Sequence, residues 1–372
     1  MIKMDYLFSI HFDVLFLIVA VASMVTMFGT ELMAVVPVIT GLKNDKVRLN
    51  VLSYIVPVWE VVGTFFVLWL VDMENVIPVL MPAMAYSLFP LFAIFIFFLV
   101  ARNAFIIYAE FMWHGNKYFD ERKLYIIYGV ATFIMGLMAF SILAAITSGY
   151  GMYLYGYGKY SSIGYSNSYT NFVKLYSHAD VIGFIIGGLI LANGISRVFY
   201  RLSDINKPFE RVLPLILVIV GLAIFMPSYY FLSLKDYMVN SDFIIIPIIL
   251  ALIIPILYMF KSTTYLASYK PFVILLSIIS VAFLELRVYP YVFGYSNNPA
   301  FIPDVLTDSA MQYLALIISV VGGTWLVLMM IYYGYVSNHR MAKIIPPRET
   351  QRDKTANTTK TNFSNINYYI PF

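Results

Sequence analysis

Nine stretches of this chain are long and apolar enough to cross a bilayer, and they fix most of what it can fold into. A helix needs roughly 20 apolar residues to traverse about 30 Å of hydrocarbon. The stretches lie near residues 11–41, 50–72, 77–111, 124–149, 178–200, 211–234, 242–260, 271–290 and 310–336. The first and third exceed the need and would tilt or project beyond the bilayer. Charged residues make up only 12% of the chain, against about 25% in an average soluble domain. The fold class is therefore all-α: a polytopic membrane protein with about nine spans.

Basic residues gather in alternate connections: Lys43, Lys46 and Arg48; Lys117, Arg122 and Lys123; Arg197, Arg201, Lys207 and Arg211; Lys261 and Lys270; then Arg340, Lys343, Arg348, Arg352 and Lys354. The positive-inside rule predicts an external N-terminus and a cytoplasmic C-terminus. The intervening connections carry Asp72 and Glu74, or Asp304 and Asp308. The chain divides into a first group of spans (1–150), an external loop rich in Tyr, Gly and Ser (151–177), a second group of spans (178–340) and a polar cytoplasmic tail (341–372). The tyrosines of the loop suit a membrane interface or a contact with another subunit. No basic leader or cleavage site precedes the first span, so that span is expected to act as the targeting signal. The net charge of +4 reflects loops and tail and gives little reason to expect a nucleic-acid partner.

Two acids stand deep in the first two spans. Glu31 and Glu60 are each flanked by ten or more uncharged residues, and each lies about ten residues from the cytoplasmic end of its span. At 1.5 Å per residue both sit roughly 15 Å deep on adjacent antiparallel helices, where they could face each other. A carboxylate at that depth costs several kcal/mol unless neutral, paired or facing water. Two such carboxyls side by side would repel, and at least one would keep its proton. Proton conduction, helix-to-helix bonding and ion binding all remain open for them. Glu285 and Arg287 form a second charged cluster, two residues apart and so on different sides of a helix, with Arg287 expected to snorkel outward.

Other chemistry is poorly represented. With no cysteine, thiolate metal sites and cysteine nucleophiles are excluded. The four histidines, His11, His114, His178 and His339, lie near span ends and no span carries two; a haem held by His11 and His178 on the outer side is geometrically conceivable, but ordinary interfacial histidines are the expected reading, and no haem ligand set or metal site is assigned. There is no phosphate-binding loop and no autonomous catalytic constellation. Gly183, Gly187, Gly188, Ala192 and Gly194 offer a small-residue face for close helix packing.

The stretch Glu31-Leu32-Met33-Ala34-Val35-Val36, then Asn44-Asp45, Arg48, Asn50 and Ile55-Val56-Pro57-Val58-Trp59-Glu60, resembles the start of subunit II of cytochrome bd quinol oxidases. Tyr289-Pro290-Tyr291-Val292 is similar to that family's Phe-Pro-Phe-Val motif, and Leu306-Thr307-Asp308-Ser309-Ala310 to its Leu-Thr-x-x-Asp-Ala region. The departures are equally definite. Glu replaces Asp at both buried positions, Val61-Val62 replace small residues, and Phe65 stands where the family has a tryptophan.

The resemblance implies two four-helix bundles with a peripheral helix, in a subunit that binds no haem itself. Its partner would be a haem-bearing subunit I that oxidises quinol and reduces oxygen, in the plasma membrane of a prokaryote. Glu31 and Glu60 would carry a proton pathway toward that partner, with Trp59 and Phe65 supporting them. Membrane lipids are further expected partners, and a structural quinone or lipid in a groove of the subunit is left open. The rival readings are a proton-coupled secondary transporter and a scaffold subunit of another respiratory complex.

Overall fold

The computed structural model of the chain describes residues 12–41, 45–78, 84–85, 87–109, 121–148, 150, 173–203, 206–232, 241–287, 291–293, 300–301 and 309–344. Each of the nine apolar stretches contains helix. The first eight are α1 (Phe12–Gly41), α2 (Asp45–Val76), α3 (Phe89–Ile107), α4 (Glu121–Ser148), α5 (Ala179–Phe199), α6 (Pro208–Leu232), α7 (Ile245–Met259) and α8 (Lys270–Leu286). The ninth begins as α9 (Ser309–Ile318), passes through a π-helical turn at Ser319–Gly323, and continues as α10 (Thr324–Ile344). Seven of these segments are long and apolar enough to cross a membrane, whereas α7 and α8 have 15 and 17 residues. A short antiparallel ribbon pairs β1 (Tyr291–Phe293) with β2 (Ala300–Phe301) between α8 and α9.

Proline marks the start of α3. Within the third apolar stretch, described helical residues at 84–85 and 87 precede α3, which begins at Phe89 with Pro90 in its first turn. That position needs no amide donor and suits a ring-locked φ. Pro57, Pro214, Pro227 and Pro255, by contrast, lie inside helices. Most of the Tyr-rich loop, the tail beyond Ile344, and Leu306, Thr307 and Asp308 lie outside the described residues, as do Tyr289 and Pro290.

Helices α1 to α4 form one bundle and α5 to α8 a second, with α9 and α10 laid along α2 and α8 at the seam. Helix α1 also touches α5 and α8, so it belongs to both bundles. Outward faces are apolar: Ile96, Phe97 and Val100 on α3, Ile216 and Ile219 on α6, and Val321, Trp325 and Leu328 on the last helix are exposed. A soluble protein rarely tolerates so much exposed apolar surface, whereas a membrane protein requires it.

Inside lipid, burying apolar side chains gains little, so helices associate through close packing and hydrogen bonds. Both are visible here. A Cβ added at Gly187 would stand 2.5 Å from the Phe225 amide nitrogen, and one at Gly221 would stand 2.5 Å from that of Leu191. The glycines therefore let α5 and α6 approach backbone to backbone. The bundles are joined by hydrogen bonds from Ser196 Oγ to the Met33 carbonyl (3.1 Å) and from the Tyr200 hydroxyl to the Thr30 carbonyl (3.2 Å).

Candidate functional site

Helix α3 buries one narrow stripe, Leu91, Phe95, Arg102 and Ile106, at spacings of one and two helical turns. Arg102 is thereby aimed into the first bundle, with no exposed surface. Its guanidinium pairs with the Glu31 carboxylate of α1, which is 5% exposed. From α4, where Leu124, Tyr125, Tyr128, Ala131, Thr132 and Met135 form the buried face, the Tyr128 hydroxyl donates to Glu31 Oε1 at 2.7 Å. Three helices thus converge on one carboxylate. Arg102 Nη2 also reaches the Trp59 carbonyl of α2 at 3.4 Å.

The cluster is not closed. Glu31 Oε2 and Arg102 Nε and Nη1 are buried and find no hydrogen-bond partner among the described residues. The carboxylate oxygen can accept from a water molecule and the guanidinium N–H groups can donate to one. Tyr54 and Tyr200 are also close enough to feel the Glu31 charge. Losing the tyrosine donor while the acceptor stays buried is expected to cost about 1.5–3 kcal/mol. Thermal unfolding of detergent-solubilised Tyr128→Phe, set against wild type, measures it.

Glu60 lies elsewhere. It does not share the buried site of Glu31 but is exposed on the outside of α2, beside Gly63, Thr64 and Val67. Gly63 has open space where a side chain would go, and Thr64 bonds back to the Glu60 carbonyl at 2.9 Å. The two acids are linked only indirectly, through Arg102 and the Trp59 main chain. Trp59 is half-buried against the core, and Phe65 is fully buried.

Sequence reasoning overlooked Arg102, although a lone arginine within an apolar run was the available signal. It also assigned Asp72 and Lys270 to connections between spans. Asp72 is fully buried near the end of α2, beside Ser319 in the π-helical turn. A π turn inserts one extra residue and re-aims the side chains around it. Arg287, expected to snorkel outward, is instead buried over the rings of Tyr229 and Tyr230, each about 5.2 Å from its guanidinium carbon. His178 stacks on Tyr150 at 3.7 Å just ahead of α5, where burial and Asp180 push the Tyr150 pKa up.

A cavity of about 210 Å³ lies between the bundles. It runs from Ser196 and Phe199 at the basic end to Thr147 and Glu285 at the other, and Gly29 and Gly188 leave it open. The rest of its wall is mainly apolar, broken by Thr26, Thr30, Ser277, Ser280 and Tyr229.

No family model matches this chain, and no curated protein does. Among solved structures, a chain of the bd oxidase from Geobacillus thermodenitrificans aligns with 86% of this chain and 94% of its own length, at 18% identity and a TM-score of 0.57. At that identity the likeness speaks for the architecture: this chain has a bd-oxidase-like all-helical membrane fold.

Proposed function

We propose that the chain is the non-haem, subunit II-type component of a quinol-oxidising terminal oxidase in a prokaryotic plasma membrane, and that Glu31 and Glu60 serve proton delivery to its haem-bearing partner. The observation that carries this reading is the Glu31-Arg102-Tyr128 cluster, buried at span depth, with unused valences and one contact to the main chain beside Glu60. A purely structural ion pair would ordinarily satisfy those groups. Glu60 supports the reading from the other side. An acid in mid-span on the outside of α2 is costly against lipid, so it calls for a covering subunit, and Gly63 leaves room for one.

The inter-bundle cavity suits an apolar guest with one polar group, such as a quinone ring or a lipid chain end near Glu285. At about 210 Å³ it is smaller than the roughly 300–1,000 Å³ of typical ligand pockets, so it takes part of such a molecule.

Mild purification followed by quinol-dependent oxygen uptake tests the proposal. A haem-bearing partner is expected to copurify, and Glu31→Gln and Glu60→Gln are each expected to slow turnover about tenfold or more. Full turnover in both variants would rule out the proton role. Solute-driven proton flux by the chain alone would favour the transporter reading instead.

A further inference from the structure

A second polar cluster lies at the basic end of the seam between the bundles. Lys270 opens α8 and is 2% exposed. Its ammonium donates to Asn50 Oδ1 at 3.2 Å and to Asn338 Oδ1 at 3.4 Å, and it lies 5.6 Å from the centre of the Phe199 ring. Among the described residues no carboxylate pairs with it. The neighbouring charge is another cation, Arg201, whose Nε donates to Ser268 Oγ at 2.9 Å. Arg201 holds a φ of 50°, a left-handed conformation that costs an ordinary L-residue roughly 1–2 kcal/mol.

Buried lysines are rare and are ordinarily matched by an acid. Here two neutral amide oxygens hold the nitrogen. An ammonium can donate to both, and a neutral amine still has two N–H groups with which to do so. The partners therefore fix the position of Lys270 without fixing its charge, as a relay needs and a clamp does not.

Tyr54 neighbours this cluster and feels the charge of Glu31. It lies one turn beyond Asn50 on the same face of α2, is 1% exposed, and meets the Phe199 ring edge-on at 5.0 Å and the Tyr200 ring at 6.5 Å. Its hydroxyl is buried without a hydrogen-bond partner among the described residues, yet it lies within electrostatic reach of Glu31. A tyrosine kept in a core with its hydroxyl unused asks for an explanation, because phenylalanine would fill the space at lower cost.

The geometry points to Lys270 and Tyr54 as the inlet of the proton route that leads to Glu31, an assignment that rests on the reading that Glu31 conducts protons. The Lys270 ammonium gives one proton through intervening water to the Tyr54 hydroxyl oxygen, Tyr54 passes its own hydroxyl proton on toward Glu31 in the same way, and the neutral amine regains one from the water at the basic end. Only N–H and O–H bonds are exchanged, and the net charge of the inlet is restored in each cycle.

Proton uptake by the intact complex in lipid vesicles, followed with a pH-indicating dye after an oxygen pulse, tests the assignment. Lys270→Gln and Tyr54→Phe are each expected to slow uptake about tenfold, with partner copurification and haem spectrum unchanged. Tyr54→Phe guards against misfolding, since losing an unpartnered buried hydroxyl leaves the melting temperature equal or higher. Full-rate uptake in Tyr54→Phe overturns the inlet, whatever becomes of Lys270→Gln. A slow Glu31→Gln beside a full-rate Tyr54→Phe removes the inlet alone, whereas full rates in both remove the proton reading of Glu31 as well.

Discussion

Arg102→Leu is expected to cost about 3–5 kcal/mol, more than any other single change considered for this chain. The arginine is the only cation paired with Glu31 among the described residues, and its loss leaves a carboxylate between three helices with only the Tyr128 hydroxyl for support. The midpoint of thermal unfolding in detergent should drop sharply. The double variant Glu31→Leu/Arg102→Leu should recover most of the loss, because removing both charges also removes the need to compensate either one. Failure of the double variant to recover would mean that Arg102 acts mainly through its bond to the Trp59 carbonyl.

The second large effect is expected where no charge is involved. Gly187→Ala and Gly221→Ala each place a methyl group within 2.5 Å of backbone nitrogen on the facing helix, and a backbone cannot rotate aside as a side chain can. Overpacking of this kind costs about 1–3 kcal/mol per site, so the pair together should lose roughly 2–6 kcal/mol as α5 and α6 are forced apart. Gly29→Ala serves as the control. It faces open space and should cost far less, as thermal unfolding of the three variants side by side would show.

The fold was legible because the bilayer imposes one length scale on every segment, and long apolar runs such as 11–41 or 211–234 admit little besides a helix. Boundaries set by local chemistry were harder. The start of α3 at Phe89 is set by Pro90 in its first turn and not by hydropathy, and the π-helical turn at Ser319–Gly323 leaves no trace in hydropathy. Within the site, Glu31 and Glu60 stood out as acids among apolar residues, but hydropathy and depth are blind to rotation about the helix axis. That rotation turns Glu31 into the bundle and Glu60 out of it. Lys270 and Asp72 were misplaced for a related reason. Both lie near helix ends, where a charge in the sequence reads as solvated and only the packing of neighbouring helices reveals that it is enclosed.

The Glu31-Arg102 pair also sets a timetable for making the protein. Arg102 follows Glu31 by about 70 residues, and Tyr128 follows it by 97. At roughly 5–20 residues per second, the ribosome delivers α1 to the membrane several seconds before its cation exists. Through that interval Glu31 has neither of its final partners, and a carboxyl left alone in hydrocarbon costs several kcal/mol to hold there. The arrival of α3 supplies that cation, so the electrostatic cost carried by α1 is met only when the third helix of the bundle is in place, before the assembled complex has turned over at all.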